Sequence, residues 1–453
     1  MGRLRLVVVF ATLVPTVGQC LDITVQAGYG ATYTNNTQEA PEHGTGEWIQ
    51  EPEVSFAATH DGTSTSLATD YNVTRQIHQR DIYGDDTIVS GVAAATWYAI
   101  PDRLTLDAEN ARTQTTINAR GTDTPNNLQV IDTTTAGGTV MMNAFRDHRI
   151  DLSYHYALEN ATDTNTDSRR QYGTLSYVIP TGATRRLQFN VSGGKVNYDS
   201  SGAVNYTSRE ADVEYVVESE RVDMDMSLGY TVFDQQDQLD DITGTTGSFD
   251  LRWRATATST LVAAYSRSLG DGAMDVSGGG LGQFGQPGVS ENSGLTQPYT
   301  AQQANLGFDT QVGHNTVTLA GYLRDQKYED ISDEDQKTAG STIRIERHLR
   351  QELSATAYVD YSSTQFEGDS RTDHDFDAGL QLHWARWRNL SLFASTVYTR
   401  RNSDDPTAEF TEWQGSFGFV YTLTGGVDRT GSRAQGVGRA NTHSINGGGH
   451  QYH

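Results

Sequence analysis

VDMDMSLGYTV, residues 222–232, decides the fold. Val222, Met224, Met226, Leu228, Tyr230 and Val232 alternate with Asp223, Asp225, Ser227 and Gly229. A period of two sends one set to each face of a β-strand. One face is then apolar and the other carries two carboxylates. The same alternation recurs at 150–158, 353–361 and 376–384. A soluble sheet would cover its apolar face with a second layer. The composition points elsewhere. Only 36% of the 453 residues are hydrophobic and the mean hydropathy is −0.55. Beyond the first twenty residues no apolar run approaches the roughly 18 residues a membrane helix needs. A wall of strands with lipid on one side and water on the other needs only every second residue apolar. Proline is scarce, at 9, as expected where backbone N–H groups feed a ladder.

The gaps between these segments alternate in length. Tight ones fall at 60–63, 101–103, 145–148, 180–184, 218–220, 256–259, 313–315, 347–350 and 385–388. Longer ones fall between them, at 35–46, 75–86, 121–127, 159–169, 199–203, 235–245, 270–297, 325–336, 367–373 and 402–409. Short turns on one side and long loops on the other are the pattern of a transmembrane antiparallel β-barrel, all-β, here of about 20 strands with 18–22 within reach of the pattern. The segment 129–140 is poorly patterned. Arginines gather in the tight turns (Arg103, Arg149, Arg185, Arg221) and acids in the long loops (Asp85, Asp240, Asp333, Asp404). The two ends are therefore chemically distinct, with the short turns expected in the periplasm.

Residues 1–20 have Arg3 and Arg5 ahead of an apolar stretch at 6–14, the layout of a signal peptide, with cleavage expected between Gly18 and Leu21. Cys20 is the single cysteine, so a processed chain lacking it has no disulfide and no cysteine metal site. Residues 21–423 are expected to form the barrel and 424–453, rich in Gly, Arg, Asn and His, a disordered tail. The first strand begins within a few residues of the expected cleavage site. No N-terminal plug is expected, which would set the chain apart from TonB-dependent transporters.

The balance of 57 acidic against 33 basic residues, a formal charge of −24, excludes a nucleic-acid partner, which calls for a basic footprint. There is no Gly-x-Ser-x-Gly, no His-Glu-x-x-His and no phosphate loop. The chain is not expected to be an enzyme or to hold a cofactor or metal. The acidic run around Asp333-Glu334-Asp335 reads as a solvated loop.

A barrel of this size is too wide for side chains to fill. By opposition to the apolar face, Asp223, Asp225, Asp250, Arg252, Arg254, Asp377, Gln381 and His383 are the lumen candidates, able to set ion selectivity. The loop 270–297 is the constriction candidate, through Gly278, Gly279, Gly280 and Phe284. The final strand carries Gly415, Phe417, Phe419 and Tyr421 in alternation, which resembles the aromatic C-terminal signal read by the bacterial barrel-assembly machinery.

Residues 51–119 carry a further likeness. Pro52, Gly62, Tyr71, Trp97, Leu106, Asp107 and Ala108 lie in a pattern that resembles the outer-membrane barrels associated with the PEP-CTERM/exosortase system. The resemblance implies a Gram-negative outer-membrane protein linked to exopolysaccharide production and surface sorting. The partners expected are outer-membrane lipid, the assembly machinery, and polysaccharide or an exported protein. The leading expectation is a channel or export conduit for polar solutes. The others are a structural barrel that sheaths an exported protein, such as an electron-transfer conduit, and a surface receptor or adhesin.

Overall fold

The structure is a computed structural model that describes residues 21–424, apart from 43, 146, 165, 201–202, 236–240, 272–295 and 330–331. Its described residues form twenty antiparallel strands, each hydrogen-bonded to its sequence neighbour, and β1 pairs with β20 to close the sheet. The signal-peptide reading of 1–20, the tail reading of 425–453 and the constriction candidates Gly278, Gly279, Gly280 and Phe284 lie outside the described residues.

The strands run β1 Asp22–Thr34, β2 Glu47–Asp61, β3 Thr65–His78, β4 Asp86–Ile100, β5 Leu104–Thr116, β6 Leu128–Asn143 and β7 Arg149–Ala161. Next come β8 Ser168–Gly182, β9 Arg185–Tyr198, β10 Tyr206–Glu218, β11 Val222–Gln235, β12 Ile242–Thr256, β13 Ser259–Gly270 and β14 Tyr299–Val312. The remainder are β15 Asn315–Tyr328, β16 Gln336–Arg350, β17 Leu353–Phe366, β18 Arg371–Trp384, β19 Leu390–Ser403 and β20 Phe410–Thr424. Strands of 12 to 16 residues exceed the roughly 9–11 needed to cross a bilayer, so the wall projects beyond the hydrocarbon.

Eight of the nine tight gaps read from the sequence hold a turn between paired strands; the ninth, 347–350, lies inside β16 and its turn follows at 351–352. β8 runs to Gly182 and β16 to Arg350, further than expected. Both ends carry a register shift, between Pro180 and Gly182 and between His348 and Arg350. A bulge adds a residue beside the turn without breaking the alternation further up the strand. Pro52 also has a local reason. The β2–β3 ladder passes from Gln50↔Ile77 to Glu53↔Thr74, leaving the residue without an N–H unpaired on that side.

The two faces are identified by what they touch. Leu228, Leu323, Val191 and Leu306 are 71%, 60%, 59% and 58% exposed, and all belong to the apolar parity. Such exposure of large aliphatics is tolerable only against lipid. Tyr156, Tyr230, Tyr361 and Tyr398 lie on this face near the long-loop end, where an aromatic girdle belongs. At the closing seam Tyr29 of β1 stacks on Phe419 of β20, and Trp48 of β2 meets Phe417 edge-on. Phe417, Phe419 and Tyr421 thus contribute to closure from the lipid side, while Gly415 pairs with Tyr33.

Inside the barrel several aromatic rings lie across a glycine of the next strand. His155 covers Gly137, Tyr322 covers Gly340, Tyr358 covers Gly379 and Phe393 covers Gly418; a Cβ on any of these glycines would collide with the ring. These pairs fix register, because sliding by one residue would put the ring against a side chain.

Two substitutions test the assignment of faces. Leu228→Arg, at the middle of β11 on the lipid side, is expected to lose about 2–4 kcal/mol of folding stability in vesicles. Ser227→Arg, its neighbour on the other face, should lose less than about 1 kcal/mol. Urea titration followed by tryptophan fluorescence measures both. Equal penalties would contradict the assignment.

Candidate functional site: the lumen and its long-loop mouth

The second parity of each strand faces the interior, and cross-barrel contacts prove it. Arg170 of β8, Tyr198 of β9 and Tyr206 of β10 all reach Asp271, which follows β13. Arg371 of β18 and Arg401 of β19 reach the loop between β5 and β6. Such distant strands can meet only through the lumen.

The register places each lumen candidate on this interior face. Asp223 sits opposite Arg252, and Asp225 opposite Asp250. Arg254 ion-pairs with Asp223 at 3.0 Å and donates to the Glu220 carbonyl at 2.8 Å, near the tight-turn end. Asp377, Gln381 and His383 form a separate column on β18, opposite Asp360, Thr356 and Ser354. The structure therefore gathers these candidates into two groups on different arcs of the wall. Further inward acids accompany them: Glu51 and Glu53 on β2, Glu109 on β5, Asp212 and Glu214 on β10. Inward bases such as Arg324 and Arg344 are fewer among the described residues. The lumen wall is predominantly acidic.

The mouth is narrowed by two features that the sequence reading did not identify. The first is the root of the loop after β13. The β12–β13 ladder ends at Gly247↔Arg267, and beyond it Leu269 packs with Val196, Tyr198, Tyr206 and Phe233. Tyr206 and Phe233 stack with centroids 4.6 Å apart. Asp271 is fully buried beside this cluster. Tyr198 and Tyr206 each donate a hydroxyl to it at 2.6 Å, and Arg170 donates from Nη2 at 3.0 Å. Burial alone would raise the Asp271 pKa. The Arg170 charge and the two hydroxyls outweigh that and hold it below the ordinary aspartate value of 3.8. Arg170 also contacts Glu159 at 3.2 Å, so one buried guanidinium serves two carboxylates.

The second feature is a strap, residues 117–127, between β5 and β6. It extends to the opposite arc of the mouth; by the shorter way round, β4, β3, β2, β1 and β20 lie between β5 and β19. Arg371 Nη1 donates to the Arg120 carbonyl at 3.1 Å, and Arg401 Nη1 to the Gly121 carbonyl at 3.3 Å. Each of these arginines is positioned by an aspartate beside it. Arg371 forms a two-point pair with Asp373 at 2.8 and 2.5 Å, and Arg401 Nε donates to Asp375 at 2.6 Å. The Arg120 side chain pairs with Glu334 at 3.2 Å, donates to the Asp333 carbonyl and lies over the Phe366 ring. The Asp123 amide donates to Glu39 at 2.9 Å. The acidic run 333–335, read as a solvated loop, is corrected here: Glu334 is the strap's ionic partner, and Asp335 caps the Tyr328 amide at 2.7 Å.

Residues 337–421, which cover β16 to most of β20, match the family described as "Putative beta-barrel porin 2". No curated protein matches the sequence. Two solved structures of similar shape are of the FrpB iron transporter from Neisseria meningitidis, F5-1 variant. The apoprotein form is 9% identical, with 89% of this chain and 81% of that chain covered and a TM-score of 0.50. A second structure of the variant is 8% identical, with 89% and 82% covered and a TM-score of 0.50. At such identity the likeness is one of fold, a large closed antiparallel barrel. Taken with the apolar exterior and the porin match, it places this chain among the outer-membrane β-barrels.

Asp271→Asn removes one of the two carboxylates that hold the buried Arg170 guanidinium, and with it the charged acceptor of the Tyr198 and Tyr206 hydroxyls, and is expected to be destabilising. The loss is expected locally, as faster hydrogen exchange at 196–198, 206 and 269–271, with the rest of the wall unchanged. Because the folded pKa of Asp271 is lowered, its contribution is complete above pH 3.8 and disappears as pH falls through the lower folded value. Acidification of the wild type should reproduce the Asn variant's exchange pattern only below that window.

Proposed function

We propose that this barrel is a passive channel or export conduit for polar solutes, with exopolysaccharide as the finer reading. The observation that carries the proposal is the acidic, water-accessible interior below the strap. Glu214, Asp225, Asp250 and Asp360 are all partly exposed on the inward face. Facing carboxylates of this kind are tolerable in water and very costly in a dry interior. A strap lying across the mouth favours small or linear solutes over a folded protein filling the lumen, so the sheath reading has less support. The exopolysaccharide reading rests on the resemblance of residues 51–119 and on a wall that presents Tyr322 and Tyr358 to the lumen, rings able to stack on sugar faces. The partners proposed are outer-membrane lipid and the assembly machinery that inserts barrels.

Fixed negative charge along a pore concentrates cations and depletes anions. In a planar bilayer with a tenfold KCl gradient, the purified protein should show ohmic steps and a reversal potential of the sign for potassium over chloride. Asp225→Asn/Asp250→Asn should move that potential toward zero without abolishing the steps. The absence of any conductance from protein shown to be folded, including a variant lacking the strap, would remove the channel reading.

A further inference from the structure

We propose that the strap 117–127 is a gate that leaves the mouth as a unit, while the root at Asp271 is the fixed part of the constriction. It rests on the channel reading only for its electrical readout. The two elements are held by different physics. The Asp271 root combines a fully buried carboxylate with an apolar cluster, and moving it would expose both. The strap, Ile117-Asn-Ala-Arg-Gly-Thr-Asp-Thr-Pro-Asn-Asn127, offers no large apolar side chain beyond Ile117 at its base. Its described far-side contacts are polar, with the Arg120–Phe366 contact added.

Within itself the strap is braced. Asn127 donates from its side-chain amide to the Asn118 and Thr122 carbonyls, at 2.8 and 3.0 Å. Its side-chain oxygen accepts from the Asn118 amide at 3.1 Å. A Cβ at Gly121 would strike this Asn127 side chain, so the tight turn requires glycine there. An element that is rigid inside and lightly fastened outside moves as a body.

The latch is also built to be left behind. Arg371 and Arg401 keep Asp373 and Asp375 as partners whether or not the strap is present. Release therefore leaves neither guanidinium unpaired, avoiding the usual barrier to breaking a buried ionic contact. What is given up is the two arginine bonds to backbone carbonyls, the Arg120–Glu334 pair, the Arg120 bond to the Asp333 carbonyl and its contact over Phe366, and the Asp123 amide bond to Glu39. Water can replace the hydrogen bonds, and salt weakens the ion pair.

The experiment uses the full barrel with Cys20 replaced by serine. Single-channel recording of the wild type should show two conductance levels. Arg371→Gln/Arg401→Gln should raise occupancy of the upper level at least tenfold, and so should raising KCl from 0.1 to 1 M. Arg120→Cys/Glu334→Cys joined by a short reducible bis-maleimide should confine the channel to the lower level until reductant is added. Exchange of amides 117–124 should accelerate at least tenfold in the latch variant, a readout independent of conductance. Heat-modifiable migration in SDS confirms that each variant is folded, and the cross-linked protein carries the test if the arginine variant is not. A silent bilayer with accelerated exchange would sink the channel reading and leave the moving strap supported. Unchanged dwell times and unchanged exchange in both latch variant and cross-linked protein would overturn the gate.

Discussion

Every backbone N–H and C=O of a membrane-spanning wall must find its partner inside the wall, because hydrocarbon offers none. That demand accounts for most of this molecule. A sheet with a free edge would present a whole row of unpaired groups to lipid, so β1 and β20 must meet. They do so along a ladder from Thr34↔Gln414 to Val25↔Thr424, with one bulge near its end. Closure in turn separates two solvents. Once the sheet is closed, side-chain parity alone decides whether a residue meets lipid or water, and the chain can be polar overall and still live in a membrane.

Closure also brings strands far apart in sequence to one enclosed space, and this is where the mouth acquires its structure. Arg170 gathers Glu159 and Asp271, and Arg371 and Arg401 meet a strap more than two hundred residues earlier in the chain. Arginine suits these positions because its planar fork can hold an aspartate on one edge and a carbonyl on another. Lysine could serve one partner well but not both in fixed geometry. The two constrictions differ in how much apolar surface lies behind them. The Asp271 root is backed by aromatic packing, and the strap by little more than Phe366 beneath Arg120 and Arg371.

The barrel was legible in the sequence because alternation and turn spacing are local signals. Each strand announces its own faces, and each tight turn falls between two alternating runs. The stretch 129–140 was unclear for a physical reason visible in the structure. β6 carries glycine at 137 and 138, the first covered by the His155 ring and the second by Leu106, so the pattern there belongs to the neighbours rather than to β6. The mouth was largely illegible. Nothing near Arg120 in the sequence points to Glu334 or Arg371, and no periodicity connects Asp271 to Tyr198. A weak sign existed in the inward parity of Arg371, Asp373, Asp375 and Arg401, where charges of both signs crowd the ends of adjacent strands. The acidic run at 333–335 looked solvated because its partner lies on a different hairpin.

The interior acids carry one more implication. Asp225 faces Asp250 directly across the β11–β12 ladder, and Asp360 faces Asp377 across β17–β18. Like charges placed opposite each other weaken a sheet. Their cost falls sharply when high-dielectric water lies between and around them, since two unit charges 4 Å apart interact by about 1 kcal/mol in water and several times that near a protein surface. A wall that places such pairs on its inner face and its most exposed aliphatics on the outer one is therefore shaped for a wet lumen. The same pairs explain why the described guanidinium groups at the mouth do not spread along the wall. Each is already committed to an adjacent carboxylate at the rim, so it does not offset the acids deeper in the lumen.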